Sequence, residues 1–295
     1  MRGHRSVSAR PITLRQAEGQ AMVKTMSEPD YLLSDGASEL ERLRLQARVW
    51  EPETEAWLDR LGPMEGWHCL DLGCGAMGIL GPLSRRAGPS GRIVGVDIDP
   101  MQLRGARAFV AETPLANVEI LEADAYASPI PAGSFDLTHV RFLFAPVGRD
   151  AQLMSELWRL TKPGGIIAIQ EPDCAAWLCY PPSDAWDRLK AAILEAFRRG
   201  GGDFDAGRRT YMMLRDRGAE DLRVRAAVLA LAPGHPYLRL PIQFSTSLRS
   251  RILDAGLMTK PELDEAIVEC EKVAGDPQTT GVTFVVTQVW GRKPL

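Results

Sequence analysis

Residues His68 to Leu80 read HCLDLGCGAMGIL, an apolar run that ends on an acid and then breaks into glycines. Gly73-Cys74-Gly75-Ala76-Met77-Gly78 satisfies G-x-G-x-x-G, the turn that brings backbone N–H groups against a dinucleotide pyrophosphate. Asp71, two residues before the first glycine, is awkward for that ligand. No basic residue in GCGAMGIL offsets it beside a doubly negative group. The loop therefore sets a phosphate-bearing ligand against one that carries positive charge.

Working outward, the same run is the first of five short apolar segments bounded by turn residues: WHCLDLG, GRIVGVDID, NVEILEADA, FDLTHVRFLF and GGIIAIQEPD. Segments apolar on both faces and rich in Val and Ile fit parallel strands covered on both sides. Helical patterns fill the gaps. DPMQLRGARAFVAE opens with Asp99 as N-cap and Pro100 in the first turn, and RDAQLMSELWRLTKPGG runs from Asp150 to a Pro-Gly-Gly stop. Upstream, SELERLRLQARVW and PETEAWLDRLG read as two helices split at Pro52. Strand–helix–strand repetition with short links gives right-handed βαβ units and a doubly wound, Rossmann-like α/β sheet.

In such a sheet ligands sit outside the carboxyl ends of the strands. Those ends carry Asp71-Leu72-Gly73, Asp97, Asp124, His139 to Arg141 and Glu171 to Asp173, so four of the five bring carboxylates. This crown suits a ligand with a positive charge, a ribose diol and an adenine amine, which are the features of S-adenosylmethionine. Gly73 and Gly75 let the backbone approach it closely. Asp97 can accept from the diol, with Ile98 beside it, and Asp124 can accept from the adenine amine.

The motifs LDLGCGAMG, VGVDIDP, EADAYASPIPAGSFDLTHVRFLF and LTKPGG, in that order and spacing over residues ~65–175, resemble those of class I S-adenosylmethionine-dependent methyltransferases, the small-molecule group among them. The resemblance implies a seven-stranded, mostly parallel sheet with an antiparallel last strand. It assigns Asp71, Gly73 and Gly75 to the cofactor's methionine part, Asp97 to the ribose, and Asp124 with Ala125 to the adenine. YLLSDGASELERLRLQA resembles the lead-in helix of that group, which makes Tyr31, Arg42 and Gln46 candidates for the methionine end. Arg42 equally fits a solvated face, with Glu39 and Glu41 nearby for ion pairing. Two departures stand out: the third glycine is Gly78 rather than residue 77, and RFLFAPV replaces a His-rich segment common after the fourth strand.

A sulfonium is already an activated methyl donor, so the protein's part is mainly to hold a nucleophile in line. His139 and Glu171 are the candidate bases for a protonated nucleophile, and Arg141 is a candidate cofactor contact at the lip of the sheet. His139 also reads as a hydrogen-bonded core or outer-layer histidine, and Glu171 as a cap of the next helix or the partner of a nearby arginine. Trp177, Tyr180, Tyr237 and Phe244 are candidates for an apolar, partly aromatic substrate pocket. Alternatively, these aromatics seal a cap onto the sheet.

The chain of 295 residues is 45% apolar and 25% charged, with a net charge of -3. That balance argues against nucleic acid, and no apolar run approaches the ~20 residues that span a bilayer. Five cysteines without a CxxC pair fit a reducing cytoplasm, and the separated histidines leave no metal-ligand spacing. Residues 1–26 read as a disordered basic tail and 27–295 as one methyltransferase domain. Within it, 27–62 are helices over the cofactor, 63–175 the cofactor-binding core, and 176–220 with 233–280 cap or lid elements. The expected activity is methyl transfer from S-adenosyl-L-methionine to a small organic, partly apolar or aromatic acceptor, with the oligomeric state open. Its competitors are an NAD(P)-dependent oxidoreductase and a non-catalytic ligand-binding module of the same fold.

Overall fold

A computed structural model describes residues 36–295, so the expectations for the basic tail and for Tyr31 lie outside the described residues. In chain order the elements are helix α1 (Gly36–Leu61), β1 (His68–Leu72), α2 (Leu80–Ala87), β2 (Arg92–Asp97), α3 (Pro100–Glu112), β3 (Val118–Glu122) and β4 (Phe135–Arg141). Then come α4 (Phe144–Val147), α5 (Asp150–Leu160), β5 (Thr161–Asp173), β6 (Leu178–Tyr180), α6 (Asp184–Arg199), α7 (Gly207–Asp216), β7 (Glu220–Ala227) and β8 (Ala230–Leu231). Helices α8 (Leu240–Ser247), α9 (Arg249–Asp254) and α10 (Lys260–Gly275) precede β9 (Thr280–Val282) and β10 (Val285–Arg292).

Seven strands form the main sheet in the order β3-β2-β1-β4-β5-β10-β7, with β10 antiparallel to both its neighbours. The chain moves outward from β1 to β3 and then returns to β4 on the other side of β1. This reversal opens a crevice at the carboxyl ends of β1 and β4. Alternate residues of each strand feed two apolar layers. Leu70, Leu72 and Val94 pack with Leu153 and Leu157 of α5 on one face; Cys69, Ile93 and Leu137 pack with Trp57 and Leu58 of α1 on the other.

Helix α1 runs unbroken through Pro52, where two helices were expected. Proline forfeits one intrahelical hydrogen bond and crowds the preceding turn. Here Trp50, Trp57 and Leu58, on both sides of it, are buried, and that tertiary packing carries the helix across. The expected caps are present: Asp99 Oδ1 accepts from the N–H groups of Met101 and Gln102, and Thr259 with Glu262 closes a capping box on α10.

The long insert after β8 is helical, and α6, α8 and α10 pack on one another around a third apolar cluster. A small sheet ordered β6-β9-β8, unforeseen from the sequence, ties the strand after β5 to the segment before β10. Among the described residues no helix is long and apolar enough to cross a membrane.

Candidate active site

A cavity of ≈ 510 Å³ lies between the carboxyl ends of the strands and the helical cap. One end of it is the glycine loop, where Gly73 and Gly75 form the wall next to Asp71. Gly75 has φ +55, and a Cβ there would meet nothing closer than Gln102 Oε1 at 3.9 Å, so the backbone faces open space. Asp97 ties this loop to β2. Its Oδ2 accepts from the N–H of Gly75 at 2.8 Å, and its Oδ1 accepts from Ile98 and Asp99 at 2.8 and 2.9 Å. Burial pushes the Asp97 carboxyl up, against the pull of these three donors. Asp124 accepts from the N–H of Tyr126 and stands in the wall beside Ala125.

Arg42 and Gln46 of α1 close the same cavity. The Arg42 guanidinium is buried. It pairs with Glu39 at 2.6 Å, donates to Gln46 Oε1 at 2.9 Å, and lies 4.6 Å from the centre of the Phe244 ring. The solvated-face reading of Arg42 therefore has the right ion-pair partner but the wrong environment. Arg141 donates to Thr54 Oγ1 and to the carbonyl of Gly78, clamping α1 to the glycine loop at the cavity wall.

Both candidate bases lie elsewhere. His139 and Glu171 are fully buried and absent from the cavity wall. Strand alternation turns His139 toward α1, where Nδ1 lies 2.8 Å from Asp71 Oδ1. Glu171 turns back on the loop after β4 and accepts from the N–H groups of Leu143, Phe144 and Ala145. The contact of His139 is that of a hydrogen-bonded core histidine, whereas Glu171 meets the start of the preceding α4 rather than the helix after β5.

Of the four expected pocket aromatics only Phe244 lines the cavity. Trp177 is buried and stacks on Phe204 with centroids 5.6 Å apart; Tyr237 is buried, its hydroxyl accepting from Trp50 Nε1. Tyr180 is 66% exposed because β6 pairs with β9 and leaves it pointing outward. The aromatic wall instead comes from Phe142, Phe197, Phe204 and Phe284 together with Phe244. Phe142 stood in plain view just past the fourth strand. Phe197, Phe204 and Phe284 come from segments that only tertiary packing unites, and no local pattern marks them.

The wall fits S-adenosylmethionine on its own chemistry. Among the described residues, neither Asp97 nor Asp124 forms an ion pair, which leaves two carboxylates for diol and amine donors. Ile98, on the same rim, holds 59% of its surface bare, as an apolar face for a flat ring would. Sheet order, glycine loop and acidic strand ends together give the fold of class I S-adenosylmethionine-dependent methyltransferases, and S-adenosylmethionine is the cofactor this rim fits.

Residues 70–169 match the family model described as "Methyltransferase domain". The chain is 32% identical over 126 residues to a demethylmenaquinone methyltransferase from Lactococcus lactis, covering 43% of this chain and 49% of the relative. It is 32% identical over 123 residues to the nocamycin O-methyltransferase of Saccharothrix syringae, covering 42% and 44%. The chain thus spans about half the length of the curated relatives it matches. Among solved structures, the Haemonchus contortus phosphoethanolamine N-methyltransferase 2 bound to S-adenosyl-L-methionine superposes with a TM-score of 0.56 at 18% identity, over 92% of this chain and 61% of that one.

Proposed function

We propose that the protein transfers the methyl group of S-adenosylmethionine to a small organic acceptor of apolar, partly aromatic character. The observation that carries this reading is the make-up of one cavity wall. Carboxylates and glycine backbone from the strand ends line it together with five phenylalanine rings that pack against one another. When bound, the cofactor supplies an electrophilic methyl carbon; the acceptor's lone pair takes it while the C–S bonding pair stays on sulfur.

The protein's residues act by binding and orientation. Asp97 and Asp124 receive the ribose and adenine donors, and Gly75 leaves room for the methionine backbone. Arg42 and Gln46 close the cavity from α1. The phenylalanine wall excludes water and holds the acceptor's apolar body, so that its nucleophile faces the methyl group within reach of in-line attack. Since neither His139 nor Glu171 reaches the cavity, an acceptor that ionises unaided, or is neutral and nucleophilic at working pH, fits this site.

The test is isothermal titration with S-adenosylmethionine, S-adenosylhomocysteine and NAD(H), on the natural protein and on Asp97→Ala. Micromolar binding of both adenosyl ligands, lost on substitution, is expected and licenses a methyl-acceptor screen. Binding of NAD(H) alone would make Asp97 a dinucleotide ribose ligand and sink the proposal.

A further inference from the structure

Asp71 and His139 face each other in the register of β1 and β4, on the side of the sheet that α1 covers. The His139 ring centre lies 5.6 Å from that of Trp57. A carboxylate only accepts, so the 2.8 Å contact to Asp71 Oδ1 places the proton on Nδ1. Nε2 is buried with no hydrogen-bond partner. An apolar side chain would avoid that cost. Burial also holds the imidazole below its ordinary pKa, which favours the neutral ring.

The second oxygen of Asp71 accepts from the N–H of Ile79 at 2.8 Å, at the end of the glycine loop. It also presses so closely on Gly78 that a Cβ there would have no room. Contacts thus run without a gap from the imidazole, through the carboxylate, to the loop that walls the cavity.

We infer that His139 is a positioning residue for the cofactor: it fixes the Asp71 carboxylate, and through it the path of residues 73–79 against the methionine end of the ligand. The inference rests on the proposed reading of that loop as the S-adenosylmethionine site. A merely structural histidine contributes packed volume, which another side chain of similar size replaces. A positioning histidine contributes one donor at one place.

Two substitutions separate these roles. His139→Asn keeps an N–H where Nδ1 stands, whereas His139→Leu fills the volume and donates nothing. Titration of the full chain with S-adenosylhomocysteine is expected to show His139→Leu weaker by about tenfold or more and His139→Asn within about threefold of the natural protein. Thermal unfolding checks that both variants are folded at the titration temperature, and both are expected to unfold below the natural protein: Leu leaves Asp71 Oδ1 buried without its donor, and Asn leaves packed volume unfilled. Equal affinities in the two folded variants overturn the inference. A natural protein that binds no S-adenosylhomocysteine removes instead the reading of the site, and this inference with it.

A measurement on the unsubstituted protein does not depend on either variant folding. Imidazole ¹⁵N shifts showing a protonated Nδ1 and a bare Nε2, with the Ile79 amide exchanging more slowly once S-adenosylhomocysteine is added, are expected. A proton on Nε2 overturns the inference.

Discussion

Glu171 Oε1 accepts from the N–H of Leu143 at 2.7 Å, and the same carboxylate also takes the N–H groups of Phe144 and Ala145. One side chain thereby stands in for the missing acceptors at the start of α4 and shapes the loop behind Phe142, whose φ is +57. Burial outweighs the three donors and pushes the Glu171 carboxyl up to about 8, from an ordinary 4.5.

That shift has a sign. Between about pH 4.5 and about pH 8 the folded protein holds a proton that the unfolded chain has released. Stability therefore falls as pH rises through this window and is untouched by this group below it. Glu171→Gln cannot titrate and removes the slope. Urea denaturation at pH 5 and pH 8 is expected to show the natural protein losing stability relative to Glu171→Gln by a few kcal/mol at most. A pH-independent gap between the two would mean that Glu171 titrates normally.

The acidic, glycine-lined part of the cavity, the proposed cofactor end, was legible because its chemistry is local. Asp71, Asp97 and Asp124 are each the acid at or just past a strand end, and the sheet's reversal at β1 and β4 brings those ends to one rim. The phenylalanine wall, the proposed acceptor end, was not legible for the opposite reason. Phe197, Phe204 and Phe284 leave the chain from α6, a turn and the approach to β10, and they meet only when α8 and α10 close over them. Trp177 and Tyr180 share one segment yet have opposite fates, set by a pairing of three-residue strands too short to read. At Pro52 local propensity pointed one way and the buried flanks of α1 overruled it.

The fates of Trp177 and Tyr180 give a direct comparison. Trp177 stacks on Phe204 and meets Trp186, Phe244 and Phe284 edge-on, so Trp177→Ala opens a void inside the cap. The expected loss is about 3–5 kcal/mol in denaturant unfolding. Tyr180, mostly exposed, is expected to tolerate alanine within about 0.5 kcal/mol. A large cost at Tyr180 would mean that the small sheet packs against something more than its described neighbours.

Two glycines of one loop are expected to fail differently. Gly78 has φ +47, and a Cβ there would strike the Asp71 carboxylate and come within 2.8 Å of the Cys74 carbonyl. This explains why the third glycine stands at 78: it is the point where the chain passes over Asp71. Gly78→Ala is expected to cost about 3 kcal/mol of stability, combining strained φ with overpacking. Gly75→Ala carries only the strained φ, about 1–2 kcal/mol, because its Cβ enters open cavity. On the proposed reading that space is the ligand's, so binding of S-adenosylhomocysteine is expected to weaken about tenfold or more. Unfolding curves and titrations of the two variants check this together. A Gly75→Ala protein that binds as tightly as the natural one would mean that the cofactor does not pass this turn of the loop.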